Sequence, residues 1–198
     1  MNKMACLVLA AGQGARFGFK KQLATIDKKP MINKVLMELK PIFNDDLFVV
    51  VGAFKDEVVS VVDDLAHPII NDDWSNGIGS SISVGVTKIN NKANYNSLLI
   101  ALADQIWLKK IDYKFLISKF DGCRVVATKY ENFLGVPSVF PFSYFEKLIL
   151  LSGQNGAKSI LNNESHSVLG VSLFNRLEGI DTVDDLETYL EFYKQLRE

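Results

Sequence analysis

The sequence predicts one α/β domain, with a mostly parallel central sheet and helices on both of its faces. Three observations predict it. Apolar runs of strand length recur at 4–11, 47–51 and 98–103, and they are apolar throughout rather than alternating, as strands covered on both sides must be. Between them lie segments whose apolar residues recur with helical spacing, so strand and helix alternate along the chain. No repeat, low-complexity tract or linker divides the 198 residues, and 48% hydrophobic against 23% charged residues is enough for one substantial core, so 1–198 is taken as a single domain.

The first strand covers 3–10. Its apolar run, Met-Ala-Cys-Leu-Val-Leu-Ala-Ala after Lys3, is far too short to span a bilayer and short even for the core of a signal peptide, so a buried strand and a cytoplasmic protein are expected. A long glycine-bearing loop follows. Pro30 then opens a helix, because a proline ring suits the first helical position and Ile32, Val35, Leu36 and Leu39 fall on one face. A strand at 47–52, a helix at 55–66 and a strand at 68–71 come next. Ser80 to Ile89 spells a short helix, 97–103 a strand and 108–120 a helix. Strands at 124–129 and 135–140 precede helices at 143–151 and 156–163 and a strand at 167–174. The last helix runs from Val183, where Thr182 and Asp185 stand three apart as in a capping box.

Charge and cysteine content exclude several classes of function. Twenty-two Lys and Arg against 23 Asp and Glu leave a formal net charge of −1, which argues against a nucleic-acid partner that would need a basic excess. Cys6 and Cys123 both lie in apolar surroundings, so two buried thiols in a reducing compartment are expected rather than a disulfide. His67 and His166 are far in sequence from either cysteine, which leaves no zinc-binding spacing.

The loop after the first strand reads Leu9-Ala-Ala-Gly-Gln-Gly-Ala-Arg-Phe-Gly-Phe-Lys-Lys-Gln-Leu23. Gly12, Gly14 and Gly18 let the backbone turn and bring its N–H groups close to an anion, while Arg16, Lys20 and Lys21 add cations. That is the outline of a triphosphate cradle. The spacing fits neither the dinucleotide fingerprint nor the P-loop, and the glycines alone fit an ordinary β-to-α connection equally well; Arg16 and Lys21 tilt the balance. A second glycine-rich segment, Asn71 to Val86, leads from a strand into a helix whose first turn carries Ser80 and Ser81. Hydroxyls and free N–H groups there suit an anion or a base edge, or simply a helix cap. Asp104 ends an apolar strand at the edge where open α/β sheets bind ligands, a position that also suits a cap.

Together these blocks resemble the molybdenum cofactor cytidylyltransferase-like branch of the molybdopterin nucleotidyltransferase (NTP transferase) family, in family order over residues 9–186. Leu-Ala-Ala-Gly-x-Gly-x-Arg-x-Gly with Lys-Gln-Leu is similar to the family's opening signature, and Asn-x-x-Trp-x-x-Gly-x-Gly-Ser-Ser to a block of the same branch. The resemblance implies a Rossmann-like nucleotidyltransferase domain whose loop, Leu9, Ala10, Ala11, Gly12 and Gly14, wraps a nucleoside triphosphate with Ser80 and Ser81. Arg16 and Lys21 would neutralise its phosphates and act in catalysis with Asp104. The family's Leu-x-Asp-Gln-Pro, here with Ile106 for proline, makes Asp104 a ligand of Mg²⁺, and Asp-Thr-Pro-Glu-Asp-Leu makes Asp181 the second ligand.

On the acceptor side the resemblance points to Trp74, Gly77, Gly79, Gly153, Gly156 and Lys158, with Gln154 where the family carries aspartate. It implies transfer of CMP from CTP to the terminal phosphate of molybdopterin, pyrophosphate as leaving group, and a molybdenum hydroxylase as the enzyme served. Ala11, where the guanylyl branch has glycine, favours the pyrimidine. A sugar phosphate or other phosphorylated alcohol as acceptor, or a non-catalytic carrier of the cofactor, are the alternatives. His166, in a polar stretch, is expected at the surface.

Overall fold

The computed structural model describes residues 3–18 and 20–195. β1, Met4–Ala10, is an interior strand of the main sheet, and its side chains alternate between two cores: Cys6, Val8 and Ala10 on one face, Ala5, Leu7 and Leu9 on the other. Helix α1, Met31–Phe43, follows the glycine loop and buries Ile32, Val35, Leu36 and Leu39 as its spacing dictates. Between loop and helix lies a small hairpin that the sequence pattern did not reveal, β2 (Thr25–Ile26) paired with β3 (Lys29–Pro30).

The main sheet is completed by β4 (Leu47–Val51), β5 (His67–Ile70), β6 (Ser97–Leu102), β7 (Val126–Lys129), β8 (Leu134–Pro141) and β9 (Leu169–Val171), in the order β5-β4-β1-β6-β8-β7-β9. Among these strands β8 alone runs against the rest, pairing antiparallel with β6 and β7. Helix α1 packs on one face with α2 (Lys55–Val62), α4 (Lys110–Ser118) and α7 (Val183–Gln195). The other face carries α3 (Ile78–Lys92), α5 (Phe145–Ile149) and α6 (Ala157–Asn163).

Several expected bounds shift. Helix α3 begins at Ile78, two residues before Ser80, because Gly77 (φ 99°) turns the chain there. The strand expected over 167–174 ends at Val171, and the strand expected from 124 starts at Val126. Cys123 is exposed rather than buried, since it sits in a turn where the Asp121 carboxylate accepts the N–H groups of Cys123 and Arg124. Cys6 is buried in the core, and burial pushes its thiol well above the usual range. No helix among the described residues is long and apolar enough to cross a membrane.

The topology fixes where a ligand can sit. From β1 the chain moves outward to β4 and β5, then α3 carries it back to β6 on the other side of β1. The order reverses there, and the carboxyl ends of β1 and β6 open on the crevice such a reversal creates.

Candidate active site

The glycine loop leaves β1 into that crevice. Gly14 (φ 68°) and Gly18 (φ 80°) take left-handed conformations that favour glycine, and between them a 3-10 turn, Ala15–Phe17, buries Phe17 as an anchor. Gln22 holds the loop from beneath: its Nε2 donates to the carbonyl of Ala10 at 3.0 Å and to that of Gly12. Lys21 is thereby turned inward. Its ammonium donates to Asp104 Oδ2 at 2.7 Å and to Asp181 Oδ1 at 2.8 Å, while the exposed Arg16 reaches Asp181 Oδ2 at 3.0 Å. Lys20 points elsewhere and pairs with Glu57.

Asp104 follows β6 by two residues, and its backbone carbonyl accepts the Ile180 N–H at 3.0 Å. That bond draws the segment before α7 across the sheet edge. Gly179 lies so close over the Asp104 carboxylate that a Cβ there would stand 3.0 Å from Cγ and from Oδ1. Asp181 is set by the expected capping box. Asp185 Oδ2 accepts the N–H groups of Asp181 (2.9 Å) and Thr182 (2.8 Å), and Thr182 Oγ1 accepts the Asp185 N–H. Burial opposes the Asp185 charge, but those hydrogen bonds and the Lys21 ammonium together hold its carboxyl below the usual range.

The Asp104–Asp181 pair fits a divalent cation of the Mg²⁺ type. Such an ion needs one or two carboxylates and completes its shell with phosphate oxygens and water, so the lack of a group of three or more His, Cys, Asp or Glu ligands among the described residues does not tell against it. Asp104 Oδ1 is buried with no hydrogen-bond partner among the described residues, an acceptor in want of a positive group.

Two cavities share Asp104 as their rim. One, about 520 Å³, runs under the glycine loop and is lined by Ala11, Gly12, Gly14, Trp74, Gly77 and Ser81; Leu9 borders both. Ala10 lies beneath, beside a smaller hollow that includes Lys21. Asn71 orders this wall, donating through Nδ2 to Ser80 Oγ and Ser81 Oγ, each at 3.0 Å. Ser80 Oγ in turn donates to the Gly77 carbonyl, so it serves the helix start. Trp74 is half-buried over Gly52, where any Cβ would meet the Trp74 Cβ at 2.4 Å and the first indole carbon, Cγ, at 2.6 Å.

The second cavity, about 430 Å³, is mostly apolar and includes Gly156 and Lys158. Its shelf is Tyr130 stacked on Phe133, ring centroids 4.5 Å apart, with the Lys158 ammonium 3.6 Å from the Phe133 centroid. The Tyr130 hydroxyl donates to the Val136 carbonyl and accepts from Gln105 Nε2, which also donates to the Leu177 carbonyl; burial pushes that hydroxyl's pKa up. Trp74 and Gly77 thus lie on the glycine-loop side rather than with Lys158. Gly79 and Gly153 line neither cavity and instead clip two segments together, Gly79 N–H to Gly153 O at 3.0 Å. Gln154 borders both cavities, and His166 is exposed.

Gln22, Asn71, Gln105 and Asp185 place this machinery without having been singled out as site residues. Gln22 had a signal in the Lys-Gln-Leu run and Gln105 in the Asp-Gln run after the strand, but neither run says what the amide would hold, and the partners of Gln105 lie 25 and 72 residues away.

With this geometry in place, comparison with known proteins decides the family. Residues 6–168 match the MobA-like NTP transferase domain. The chain belongs to that family. Asp181 and α7 lie beyond the matched stretch. A crystal structure of the Mycobacterium tuberculosis rv0371c homolog from Mycobacterium sp. strain JC1 is similar to this nucleotidyltransferase domain throughout, with a TM-score of 0.84 and 25% identity over 98% of each chain. Rv0371c of M. tuberculosis H37Rv in complex with manganese shares the fold, with a TM-score of 0.79 and 20% identity over 96% of this chain and 98% of that one. The 2-C-methyl-D-erythritol 4-phosphate cytidylyltransferase of Aquifex aeolicus is 40% identical over 52 residues, 26% of this chain and 24% of that protein. The chain spans less than a quarter of the length of the curated relatives it matches.

Proposed function

We propose that this domain is a divalent-metal-dependent cytidylyltransferase that transfers CMP from CTP to the terminal phosphate of a molybdopterin-type pterin and releases pyrophosphate. The observation that carries it is the position of Asp104, on the rim shared by two cavities and bonded to the Lys21 that also holds Asp181. The cavity under the glycine loop takes the nucleotide and the one over the Tyr130–Phe133 shelf takes the acceptor. An oxygen of the acceptor phosphate then attacks the α-phosphorus, the bond from that phosphorus to its bridging oxygen breaks, and the electron pair leaves on pyrophosphate. The attacking phosphate is already anionic, so no base has to remove a proton, and positioning with electrostatics suffices. Arg16 and Lys21 draw charge from the leaving group. Asp104 and Asp181 would hold Mg²⁺, which would supply positive charge to the phosphates. Rv0371c, which shares the fold, has been crystallised in complex with manganese, and that supports a divalent-metal requirement here without locating the ion.

The flat, apolar shelf favours a ring system over a sugar, and the family's implied client is a molybdenum hydroxylase in the cytoplasm. A second reading, a phosphorylated alcohol as acceptor, draws support from the 52-residue match, 40% identical, to the A. aeolicus enzyme. A non-catalytic carrier would have no use for Arg16, Lys21, Asp104 and Asp181 held in one cluster.

Pyrophosphate release with Mg²⁺, each triphosphate in turn, and either a phosphorylated pterin or a sugar phosphate tests the reading. CTP with the pterin should turn over fastest. Asp104→Asn should nearly abolish release with the fold intact, since an amide lacks the charge that binds the ion, and Asp181→Asn should retain more. Turnover of the pterin no faster than of sugar phosphates sinks the acceptor assignment; full activity of Asp104→Asn removes that residue from the site.

A further inference from the structure

The ammonium of Lys21 stands where a divalent cation held by Asp104 and Asp181 would have to stand. It bonds one oxygen of each carboxylate, at 2.7 and 2.8 Å, and its side chain is almost covered. Arg16 takes the other oxygen of Asp181. Two cations therefore face the Asp104–Asp181 pair, which leaves the pair no net charge with which to attract a free ion; the third carboxylate nearby, Asp185, is committed to the N–H groups of Asp181 and Thr182. An entering ion would have to displace Lys21 from both oxygens and leave its ammonium unpaired in a covered, now positively charged site, an arrangement that low-polarity surroundings make costly. A triphosphate removes the obstacle. It brings more negative charge than the ion cancels, and its oxygens give the displaced ammonium new partners. Asp104 Oδ1 adds a second sign that the ammonium is a placeholder: it is buried and has no hydrogen-bond partner among the described residues, so Lys21 satisfies only half of that carboxylate.

We propose that Lys21 is a resident counter-ion of the carboxylate pair, so that the site takes a divalent cation and a triphosphate together and excludes the bare ion. This rests on the reading of Asp104 and Asp181 as metal ligands. Lys20 provides an internal control. It is the adjacent residue and carries the same charge, but it pairs with Glu57 and lies over the Phe54 ring, away from both carboxylates.

Mn²⁺ binding to the full chain, measured as the ion retained with the protein in equilibrium dialysis with and without a non-hydrolysable CTP analogue, and referred to the free ion left by the analogue alone, tests the proposal. The parent should bind Mn²⁺ at least tenfold more tightly with the analogue than without it. Lys21→Met should bind the bare ion at least tenfold more tightly than the parent, while Lys20→Met and Lys21→Arg stay near the parent. The proposal is overturned if the parent binds the bare ion as tightly as with the analogue, a comparison that needs no variant. It is equally overturned if Lys20→Met tightens binding as much as Lys21→Met, or if Lys21→Met binds no tighter than the parent. Loss of Mn²⁺ binding in Asp104→Asn separates these failures from failure of the metal assignment; unchanged binding in that variant overturns both.

Discussion

A methyl group on Gly179 would stand 3.0 Å from Cγ and Oδ1 of Asp104, closer than side chains normally approach, and the carboxylate has Lys21 on its other oxygen. Either the strand-end carboxylate turns or the segment over it lifts. Gly179→Ala is therefore expected to disturb chemistry more than folding. Displacing a positioned group by about 1 Å costs on the order of 100-fold in rate, whereas a carboxylate that turns aside relieves the contact and keeps the loss of stability near the low end of the roughly 1–3 kcal/mol typical of overpacking. Pyrophosphate release and thermal unfolding measured on the same preparation check this. Equal fractional losses in both, or full activity, would show that Gly179 does not shape the Asp104 site. Gly12 makes the contrast, since a Cβ there meets nothing within 4 Å and would be felt only by a ligand.

At the scale of elements, the segment between β9 and α7 is the least regular part of the site and the most heavily pinned. Asp112 on α4 is fully buried, and its two oxygens accept four hydrogen bonds: from the N–H groups of Phe174, Asn175 and Lys109, and from Asn175 Nδ2. Gln105 holds Leu177, and Asp185 holds Asp181 and Thr182. An irregular backbone has no ladder to satisfy its N–H groups, so side-chain acceptors must do it. Asp112→Asn replaces one oxygen by a donor facing donors, and it should cost about 1.5–3 kcal/mol, the range for hydrogen bonds to a charged group. Because Asp181 rides on the same segment, Mn²⁺ affinity should fall too; a stability loss with unchanged metal binding would show that the pin serves the fold alone. Asp185 gives the segment a pH dependence. Its folded carboxyl is held below the unfolded value near 3.9, so its stabilisation is complete above about pH 4 and is lost as pH falls through the lower folded value. In urea unfolding from pH 7 to 3, Asp185→Asn should flatten the acid limb and leave the limb above pH 4 parallel to that of the parent.

Across the whole molecule, the sheet and its two helical layers could be read from the sequence because burial on both faces writes itself as continuous apolar runs, and helix α1 as an apolar face at Ile32, Val35, Leu36 and Leu39. The direction of β8 could not, since side-chain pattern does not distinguish antiparallel pairing from parallel in a strand buried on both faces. The β2–β3 hairpin was hidden for a different reason: its strands have two residues each, and its turn sets Asp27 and Lys28 at positive φ with no glycine to announce it. Residues in the named motifs, Arg16, Lys21, Asp104 and Asp181, do converge, whereas their supports come from segments that only the fold brings together. Helix α3 ties these levels to one another. A Cβ on Gly85 would meet Leu7 Cδ2 at 2.6 Å and Val50 Cγ2 at 2.8 Å, so the helix lies against β1 and β4 at a distance only glycine permits. The same helix carries Ser81 into the cavity under the glycine loop. Gly85→Ala must push it outward, at a cost of roughly 1–3 kcal/mol, each kcal/mol lowering the melting temperature by about 2–4 °C in a domain of this size. Leu39→Ala, buried on the opposite face in α1, should lose about 2–5 kcal/mol by opening a cavity far from that wall. If helix spacing sets the cavity, Gly85→Ala weakens CTP binding measured by calorimetry below the unfolding transition and Leu39→Ala does not, although Leu39→Ala loses at least as much stability. Equal CTP affinity in the two variants would mean that the cavity wall is held by Asn71 and the Gly77–Gly79 turn alone, independently of how closely α3 lies on the sheet.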